Sequence, residues 1–398
     1  MRLQFHNLKY YLIMVIMFGA VTEILSYACY IFLRDGYFAP QPSRLEYTEK
    51  LEQQYGAENF DPVLGWIQTK EYRDNDGARI SPDNPISARA CLSLYGDSFV
   101  FGEEVSNTAA WGNQLAKKLR CKVLNFGVKA YGTDQAYLRF LGNISDTSSV
   151  TVLVMQSENI VRNVNQNRAF LYSIGVGPLK PIFWLDHDNK LQLVPVPKLT
   201  ADSYDVYINN PRQLFPKEFL IPESSVFAER RVGFPYSIGL WRALGYKRIS
   251  DGLLFYLLHV PPWYADLYNP DHPSNALNVT GSIIDHFVST AEARKKTPII
   301  MFLPTAREID SYLRTGKWVY DNLYQRCSVS GYKCFDGGAA MLSELGAGRI
   351  RAEGICEYFC FGSFTLHGHY NEKGNKLLSE VFLKYIEKYL TDLDRERS

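Results

Sequence analysis

Short apolar runs alternate with helical patterns from residue 91 onwards, and this alternation restricts the fold more than any other feature of the chain. Runs typical of buried strands span Cys91–Tyr95, Lys122–Phe126 and Val150–Met155. Helical patterns follow the first two runs, over Thr108–Leu119 and Thr133–Leu141. Strands that alternate with helices build right-handed βαβ units around a parallel sheet. We therefore predict an α/β protein with a flavodoxin-like, three-layer α/β/α architecture.

The alternation stops after the third strand. Residues 162–275 are rich in aromatic residues and proline, and we interpret them as a large insertion at the sheet edge. Within it, Lys180–Leu185 and Leu191–Val196 flank a polar segment, which predicts a hairpin. The alternation then resumes as helix, strand, helix, strand and helix, predicted at residues 280–294, 298–303, 318–324, 332–335 and 371–390.

The N-terminal apolar run sets the domain organisation. Residues 10–33 are almost entirely apolar and can cross the hydrocarbon layer as one helix. Arg2 and Lys9 precede the run, which favours a cytoplasmic N-terminus. A cleaved signal peptide is the alternative, because Ser26-Tyr27-Ala28 resembles a cleavage site, but the apolar run continues beyond it. We predict an uncleaved transmembrane anchor at residues 1–35, a linker that wraps onto the domain at 36–88, and the main domain at 89–398.

Glu23 interrupts this apolar run, and a carboxylate within a membrane is costly. Two explanations remain open at this point. Either Glu23 contacts a partner helix, which leaves room for a membrane partner protein, or it lies shallow enough to reach the interface.

Cysteine content and charge indicate the compartment and the partners. Six cysteines lie outside the anchor, and an even number suits disulfides in an oxidising, extracytoplasmic compartment. We predict the pairs 91–121 and 327–334, and also 356–360, although Cys356 and Cys360 are alternatively a metal-ligand pair. The formal net charge is +1 without a long basic run, which argues against nucleic acid as a partner. We expect neither a cofactor nor a metal ion.

The sequence Gly96-Asp97-Ser98 directly follows the first predicted strand. Ligands of parallel α/β sheets bind at the carboxyl ends of the strands, so Ser98 stands where a nucleophile is useful. The alternative is a turn in which Ser98 only caps the next helix. For Asp97 we favour a structural role, in which it braces the turn through backbone hydrogen bonds.

Four sequence blocks, in order, resemble those of the SGNH (GDSL) hydrolases. They are SLYGDSFVFGEEV with the following WGNQLAKKL, then VLNFGVKAYGTDQAYL, VTVLVMQSENIVRNVN and LHGHYNEKGNKLLSEVF, and the resemblance covers about residues 89–160 and 279–390. It implies the SGNH hydrolase fold, Ser98 as nucleophile and His369 as general base. It also implies an oxyanion hole formed by the N–H groups of Ser98 and Ala130 and the side chain of Asn159, with Glu158 as a second choice for the last position.

The chain departs from this family pattern at several places. Ala130 stands where the family has glycine, and Leu366 and His367 occupy the places of the aspartate that orients the histidine. We regard His367 as a surface neighbour. A Ser–His dyad with a backbone carbonyl behind the imidazole is one solution, and an acid supplied by Glu357 or Asp336 is another.

The preferred functional hypothesis is a membrane-anchored serine esterase or O-acyltransferase, without cofactor. It would act through a Ser98 acyl-enzyme on acyl groups, most simply acetyl groups, of an extracytoplasmic glycan at a bacterial inner membrane facing the periplasm. The insertion carries aromatic side chains that would either stack on sugar rings or fill a small core of their own, namely Phe170, Tyr172, Phe183, Trp184, Tyr204 and Tyr207. The alternative hypothesis is an inactive SGNH-fold protein that binds glycans or assists their assembly.

Overall fold

The computed structural model describes residues 2–37, 41–82, 90–171, 175–221, 232–244, 261–346, 350, 354–360, 366 and 368–395. The chain divides into two compact units. The first unit comprises residues 1–54, 167–178 and 198–257, and the second comprises residues 55–166, 179–197 and 258–398. His367 and Tyr172 lie outside the described residues.

A five-stranded parallel sheet forms the centre of the second unit. Its strands are β1 (Ala90–Tyr95), β2 (Lys122–Asn125), β3 (Val150–Gln156), β4 (Thr297–Leu303) and β5 (Cys334–Asp336). They lie in the order β2-β1-β3-β4-β5, and all four neighbouring pairs are parallel. This is the flavodoxin-like order, in which strand order reverses between β1 and β3. The predicted fold class is confirmed.

Helices cover both faces of this sheet. Every residue of β3 is buried, which requires packed layers on both sides because the side chains of a strand alternate between faces. One group of helices packs together, and a second group packs separately from it. The first group is Trp111–Leu119, Gly337–Leu345 and Glu372–Arg395, and the second is Thr133–Gly142, Ala276–Ala293 and Asp321–Val329. The unit also contains the helices Ser98–Phe101, Asn159–Arg162, Ala306–Thr315 and Cys356–Phe359, the 3-10 helices Lys70–Tyr72 and Trp263–Tyr268, and the hairpins Phe60–Asp61/Gly65–Trp66 and Ile182–Leu185/Leu191–Val194.

The first unit contains the N-terminal helix Arg2–Tyr37. Its segment Leu8–Leu33 is long and apolar enough to cross a membrane, and none of it is buried within the protein. A core helix of a soluble protein would be buried, so the exposure of this segment leaves a membrane anchor or a signal sequence as its explanation. The other helices of the unit are Arg44–Gly56, Arg168–Leu171, Tyr204–Asn209, Pro211–Leu214 and Tyr236–Leu244, with the 3-10 helix Ala201–Ser203.

An aromatic core holds the first unit together. The rings of Tyr47 and Tyr207 have centroids 4.8 Å apart, and Phe170 packs edge-on against Phe215 at 5.3 Å. All four side chains are almost completely buried. Two of the aromatic residues that the sequence offered for sugar stacking, Phe170 and Tyr207, are therefore core residues, because burial against each other removes their faces from solvent.

Several predicted boundaries require correction. The helix expected from Thr108 begins at Trp111 and has Ala110 as its N-cap. The fourth helix pattern, expected at 318–324, is a helix over Asp321–Val329, because Trp318 and Tyr320 stack on each other before it. The segment predicted as a linker contains the 13-residue helix Arg44–Gly56. The hairpin predicted within the insertion is confirmed.

All three predicted disulfides are present. Their Cα–Cα distances are 5.9 Å for Cys91–Cys121, 6.3 Å for Cys327–Cys334 and 4.5 Å for Cys356–Cys360. These distances lie in the range that disulfides require. Because Cys356 is bonded to Cys360, this pair is not a metal-ligand pair.

The bridge between Cys91 and Cys121 joins β1 to the start of β2 and closes a loop with a sequence separation of 30. We expect the double substitution of both cysteines by serine to lower the free energy of unfolding by about 3–4 kcal/mol, because the open loop gains entropy in the unfolded chain. The measurement is denaturant unfolding of wild-type and doubly substituted protein without reductant. Equal stability would contradict a formed bridge.

Candidate active site

Ser98 lies at the carboxyl end of β1, where the sequence predicted it. The strand ends at Tyr95, Gly96 and Asp97 make the turn, and Ser98 begins the helix Ser98–Phe101. The side chain of Asp97 accepts a hydrogen bond from the Phe99 N–H at 2.9 Å, which caps this helix. Asp97 is thus the structural brace that the sequence indicated, and the turn presents Ser98 at the edge of the sheet.

His369 meets Ser98 directly. Its Nε2 lies 2.8 Å from the Ser98 Oγ, a hydrogen-bond distance between residues 271 positions apart. The Phe99 ring packs beside the imidazole with centroids 4.9 Å apart. The following residue, Tyr370, donates its hydroxyl to the Pro304 carbonyl just beyond β4 at 2.5 Å. These contacts attach the histidine segment to two strand ends, so the pair is positioned by the core of the unit.

Glu104 stands behind the imidazole. Its Oε2 lies 3.2 Å from the His369 Nδ1 and also accepts the His369 backbone N–H at 3.2 Å. The carboxylate lies beside Nδ1 without the alignment of a hydrogen bond. Glu104 has a φ of 70°, a left-handed conformation that is uncommon for a residue with a side chain. The carboxylate nearest to the His369 Nδ1 in this arrangement therefore comes from the loop after the helix of Ser98, and not from Glu357 or Asp336.

The two acids proposed from the sequence are engaged in other contacts. The Glu357 carboxylate forms an ion pair with Lys373. Asp336 caps the helix Gly337–Leu345 and accepts the Tyr320 hydroxyl at 2.9 Å. No family motif marks Glu104 as the acid, and the single sequence signal was its position in the loop after Ser98 at the same sheet edge.

The loop after β2 contains the proposed oxyanion residue Ala130. Its φ of 62° is left-handed, a conformation that glycine adopts without strain and that residues with a Cβ adopt rarely. Gly127 allows this loop to approach the first one closely, because a Cβ there would lie 2.3 Å from the Phe101 nitrogen. The Val128 N–H donates to the Gly96 carbonyl at 3.1 Å, which joins the two loops.

Asn159 begins the short helix after β3. Its side chain is fully buried and contacts the Asp97 carboxylate, without the alignment of a regular hydrogen bond. Buried side-chain amides are usually well hydrogen-bonded in folded proteins. An amide with such a weak contact retains hydrogen-bonding capacity for a ligand atom. Glu158, the second candidate for the side-chain position of the oxyanion hole, forms an ion pair with Arg162 at 3.6 Å.

Arg162 joins all three loops. Its Nη1 lies 3.4 Å from the Asp97 carboxylate and donates to the Tyr131 carbonyl at 3.0 Å. Both charged side chains are buried. Burial raises the pKa of Asp97, and the positive charge of Arg162 opposes this shift. The pair thereby ties the loops after β1, β2 and β3 to one another.

A second buried carboxyl group holds the loop after β3. Glu308 accepts hydrogen bonds from the Ser157 hydroxyl and, at 2.8 Å, from the Tyr264 hydroxyl. Tyr268 donates its hydroxyl to the Ser157 carbonyl at 2.6 Å. Burial raises the pKa of Glu308 from 4.5 to about 7. Ser157, where the family has glycine, is thus fixed by side chains from two other segments.

We expect Glu104→Gln to lower kcat by about a hundredfold, because an uncharged amide no longer stabilises the imidazolium that forms when His369 takes a proton. Glu103→Gln is the matched control, since Glu103 lies 3.7 Å from Nε2 and forms an ion pair with Lys129. The measurement is hydrolysis of an aryl acetate by both variants. Equal losses in the two variants would show that Glu104 does not orient His369.

No protein-family model and no curated protein matches the chain. Among solved structures, it is similar to a member of the lipolytic protein G-D-S-L family from Veillonella parvula DSM 2008, with 12% identity, coverage of 74% of this chain and 96% of that one, and a TM-score of 0.31. It is also similar to AlinE4, an SGNH-hydrolase family esterase, with 11% identity, coverage of 78% and 98%, and a TM-score of 0.29. A third structure is LAE5, an alpha/beta hydrolase enzyme from the metagenome of Lake Arreo, Spain, with 13% identity, coverage of 75% and 95%, and a TM-score of 0.36.

The geometry agrees with what the sequence resemblance implies. The parallel sheet has the flavodoxin-like order, Ser98 follows its first strand, and His369 precedes the final helix and reaches Ser98. The fold and the placement of this serine and histidine are those expected from the resemblance of the four sequence blocks to SGNH (GDSL) hydrolases.

Proposed function

We propose that the protein is a serine-dependent esterase or O-acyltransferase that acts on acyl groups of an extracytoplasmic glycan. The observation that carries this proposal is the 2.8 Å contact between the Ser98 Oγ and the His369 Nε2. A serine hydroxyl is a weak nucleophile until a neighbouring base accepts its proton. The ring nitrogen is at the distance that this transfer requires.

The proposed reaction proceeds in two halves. In the first, His369 takes the Ser98 proton as Oγ attacks the ester carbonyl, and the resulting oxyanion receives hydrogen bonds from the N–H groups of Ser98 and Ala130 and from the Asn159 amide. His369 then gives the proton to the departing alcohol, which leaves an acyl ester on Ser98. In the second half, water or a sugar hydroxyl loses a proton to His369 and attacks the acyl ester. The bond between the acyl carbon and the Ser98 Oγ then breaks, and His369 returns the proton to Oγ.

Charged groups beside the site favour a polar substrate. Glu103 and Lys129 form an ion pair at 3.0 Å, and both side chains are partly exposed. Glu103 also lies 3.7 Å from the His369 Nε2. A long acyl chain would have to cover these charges, which is costly without new partners. A sugar offers them hydroxyl groups and carries only a small acyl group to the serine.

The three disulfides and the apolar N-terminal helix support an extracytoplasmic, membrane-tethered location. Disulfides persist in an oxidising compartment such as the periplasm, where surface glycans are accessible. A tether would keep the enzyme at the membrane while its substrate passes. These features fit an anchor whose N-terminus is cytoplasmic and whose main domain faces the periplasm.

A purely glycan-binding role is the competing proposal. It would leave the left-handed backbone of Ala130 without a purpose, although this conformation carries an energetic cost. Catalysis explains this feature, because an oxyanion hole needs backbone donors held in fixed positions.

We expect a fluorophosphonate probe to label the wild-type protein covalently and to leave Ser98→Ala unlabelled, because the probe reacts with an activated serine. His369→Ala should label at least a hundredfold more slowly, at about the scale of a lost general base. Intact-mass spectrometry measures both effects. Labelling of Ser98→Ala at the wild-type rate would place the reactive group elsewhere.

The glycan is tested through Trp184, the partly exposed ring of the hairpin in the insertion. Trp184→Ala should lower kcat/KM for an acetylated oligosaccharide roughly tenfold, since a ring stacking contact contributes about 1–1.5 kcal/mol. Hydrolysis of a small aryl acetate should not change. Tyr207, fully buried, is unsuitable for this test. A parallel fall of both activities, or no change in either, would remove Trp184 from sugar recognition.

A further inference from the structure

Glu23 of the N-terminal helix is bound by a second segment of the first unit. Its Oε2 accepts the Tyr236 N–H at 2.7 Å, and its Oε1 accepts the Ser237 N–H at 3.2 Å and the Ser237 hydroxyl. Tyr236 and Ser237 begin the helix Tyr236–Leu244, whose first N–H groups have no partner within the helix itself. Glu23 therefore caps this helix, which answers the question that its position in the apolar run raised.

The capped helix runs beside the outer part of the anchor. The Tyr236 ring lies 4.9 Å from that of Tyr27 and 5.5 Å from that of Tyr30. At its other end, the buried Ala243 packs against Tyr30 and Leu33. The helix thus follows the anchor from Glu23 to Leu33.

The depth of this contact follows from helix geometry. Glu23 precedes Leu33, the end of the apolar segment, by ten residues. Ten residues of helix span about 15 Å, which is about half the thickness of a hydrocarbon core. A helix that begins at Glu23 and ends near Leu33 therefore occupies one leaflet.

The chain turns back on itself at the deep end. Val232 packs in the same cluster as Ala243 and lies against Gly239, so residues 232–235 run antiparallel to the helix that follows. The segment Val232–Leu240 carries no charged residue, whereas Arg230 and Arg231 precede it and Arg242 lies near its far end. An apolar segment with arginines on its flanks in the sequence suits a hairpin that stays within one leaflet.

The outer surface of this hairpin is apolar and exposed. The exposed fractions are 79% for Phe234, 50% for Ile238 and 77% for Trp241. The neighbouring apolar side chains of the anchor are exposed as well. In water this continuous surface would be unfavourable, and at this depth beside the anchor lipid chains surround it without any need for a specific fit.

We propose that residues 232–244 form a re-entrant hairpin that inserts into the outer leaflet beside the anchor, with lipid acyl chains as its occupant. This inference rests on the proposed membrane anchoring. Glu23 and the first N–H groups of the helix would each be costly in hydrocarbon alone, and they satisfy each other. The insertion after β3 is on this account a second membrane attachment, and the N-terminal helix is a permanent part of the folded protein.

The test measures the accessibility of spin labels in the full-length protein reconstituted in phosphatidylcholine vesicles. Cys29, the free cysteine of the described residues, is first replaced by serine. Single cysteines are then introduced at Phe234, Ile238 and Trp241 for nitroxide labelling. Two further cysteines serve as references, and both replace exposed side chains. A label at Phe18 reports on the surroundings of the anchor, and a label at Val329 reports on water. Relaxation by oxygen, which is enriched in lipid, is compared with relaxation by a water-soluble nickel chelate.

For labels at Phe234, Ile238 and Phe18, we expect the ratio of oxygen accessibility to nickel accessibility to be several-fold higher than for the label at Val329. The ratio at Trp241 should be intermediate, because this residue would lie near the interface. If the labels at Phe234 and Ile238 are accessible to nickel while the label at Phe18 responds mainly to oxygen, the proposed membrane insertion of the hairpin is wrong and the anchor remains supported. Nickel accessibility at Phe18 as well would overturn both. Shielding of the hairpin labels from both reagents would indicate a protein contact and would overturn the lipid assignment.

Discussion

The buried pair of Arg162 and Asp97 is the interaction on which the candidate site depends. Three loops leave the carboxyl edge of the sheet after β1, β2 and β3, and each contributes one part of the site. Arg162 comes from the third loop, and it contacts the carboxylate of the first and a carbonyl of the second. Removing Arg162 would leave a buried carboxylate uncompensated, a change that typically costs several kcal/mol. The guanidinium group of Arg162 therefore links the third loop to the other two, which are also joined to each other by the Val128 N–H and the Gly96 carbonyl.

The carboxylate beside His369 comes from a different segment of the chain than the family pattern predicts. The family pattern takes this acid from the histidine segment, where this chain has Leu366 and His367. Here the Glu104 carboxylate, from the loop after the helix of Ser98, lies beside the His369 ring and accepts the His369 backbone N–H. Because one loop supplies both the serine and the acid, a displacement of the histidine segment would break two contacts at once. The left-handed backbone at Glu104 is the cost of turning that side chain back toward the imidazole.

The sequence was sufficient for the parts of the protein that follow simple periodicity or strong motifs. The strands of the sheet are continuous apolar runs, and the serine and histidine stand in motifs, so fold and pair were both predictable. Glu104 was not, because its role depends on a backbone conformation that no residue pattern specifies. The aromatic residues of the insertion were ambiguous for a similar reason. Phe170 and Tyr207 are residue types that can stack on sugar rings, and only their packing against each other shows that they belong to a core.

Glu23 illustrates the same limit in the membrane segment. Hydropathy marks the apolar helix and marks Glu23 as an exception, but it does not identify the partner, which lies 213 residues later in the chain. The N-terminus of a helix offers free N–H groups and a positive partial charge, and a carboxylate offers the complementary charge and lone pairs. The carboxylate of Glu23 therefore accepts hydrogen bonds from N–H groups that have no partner within their own helix. A charge that interrupts the apolar helix thereby becomes its link to a distant segment of the first unit.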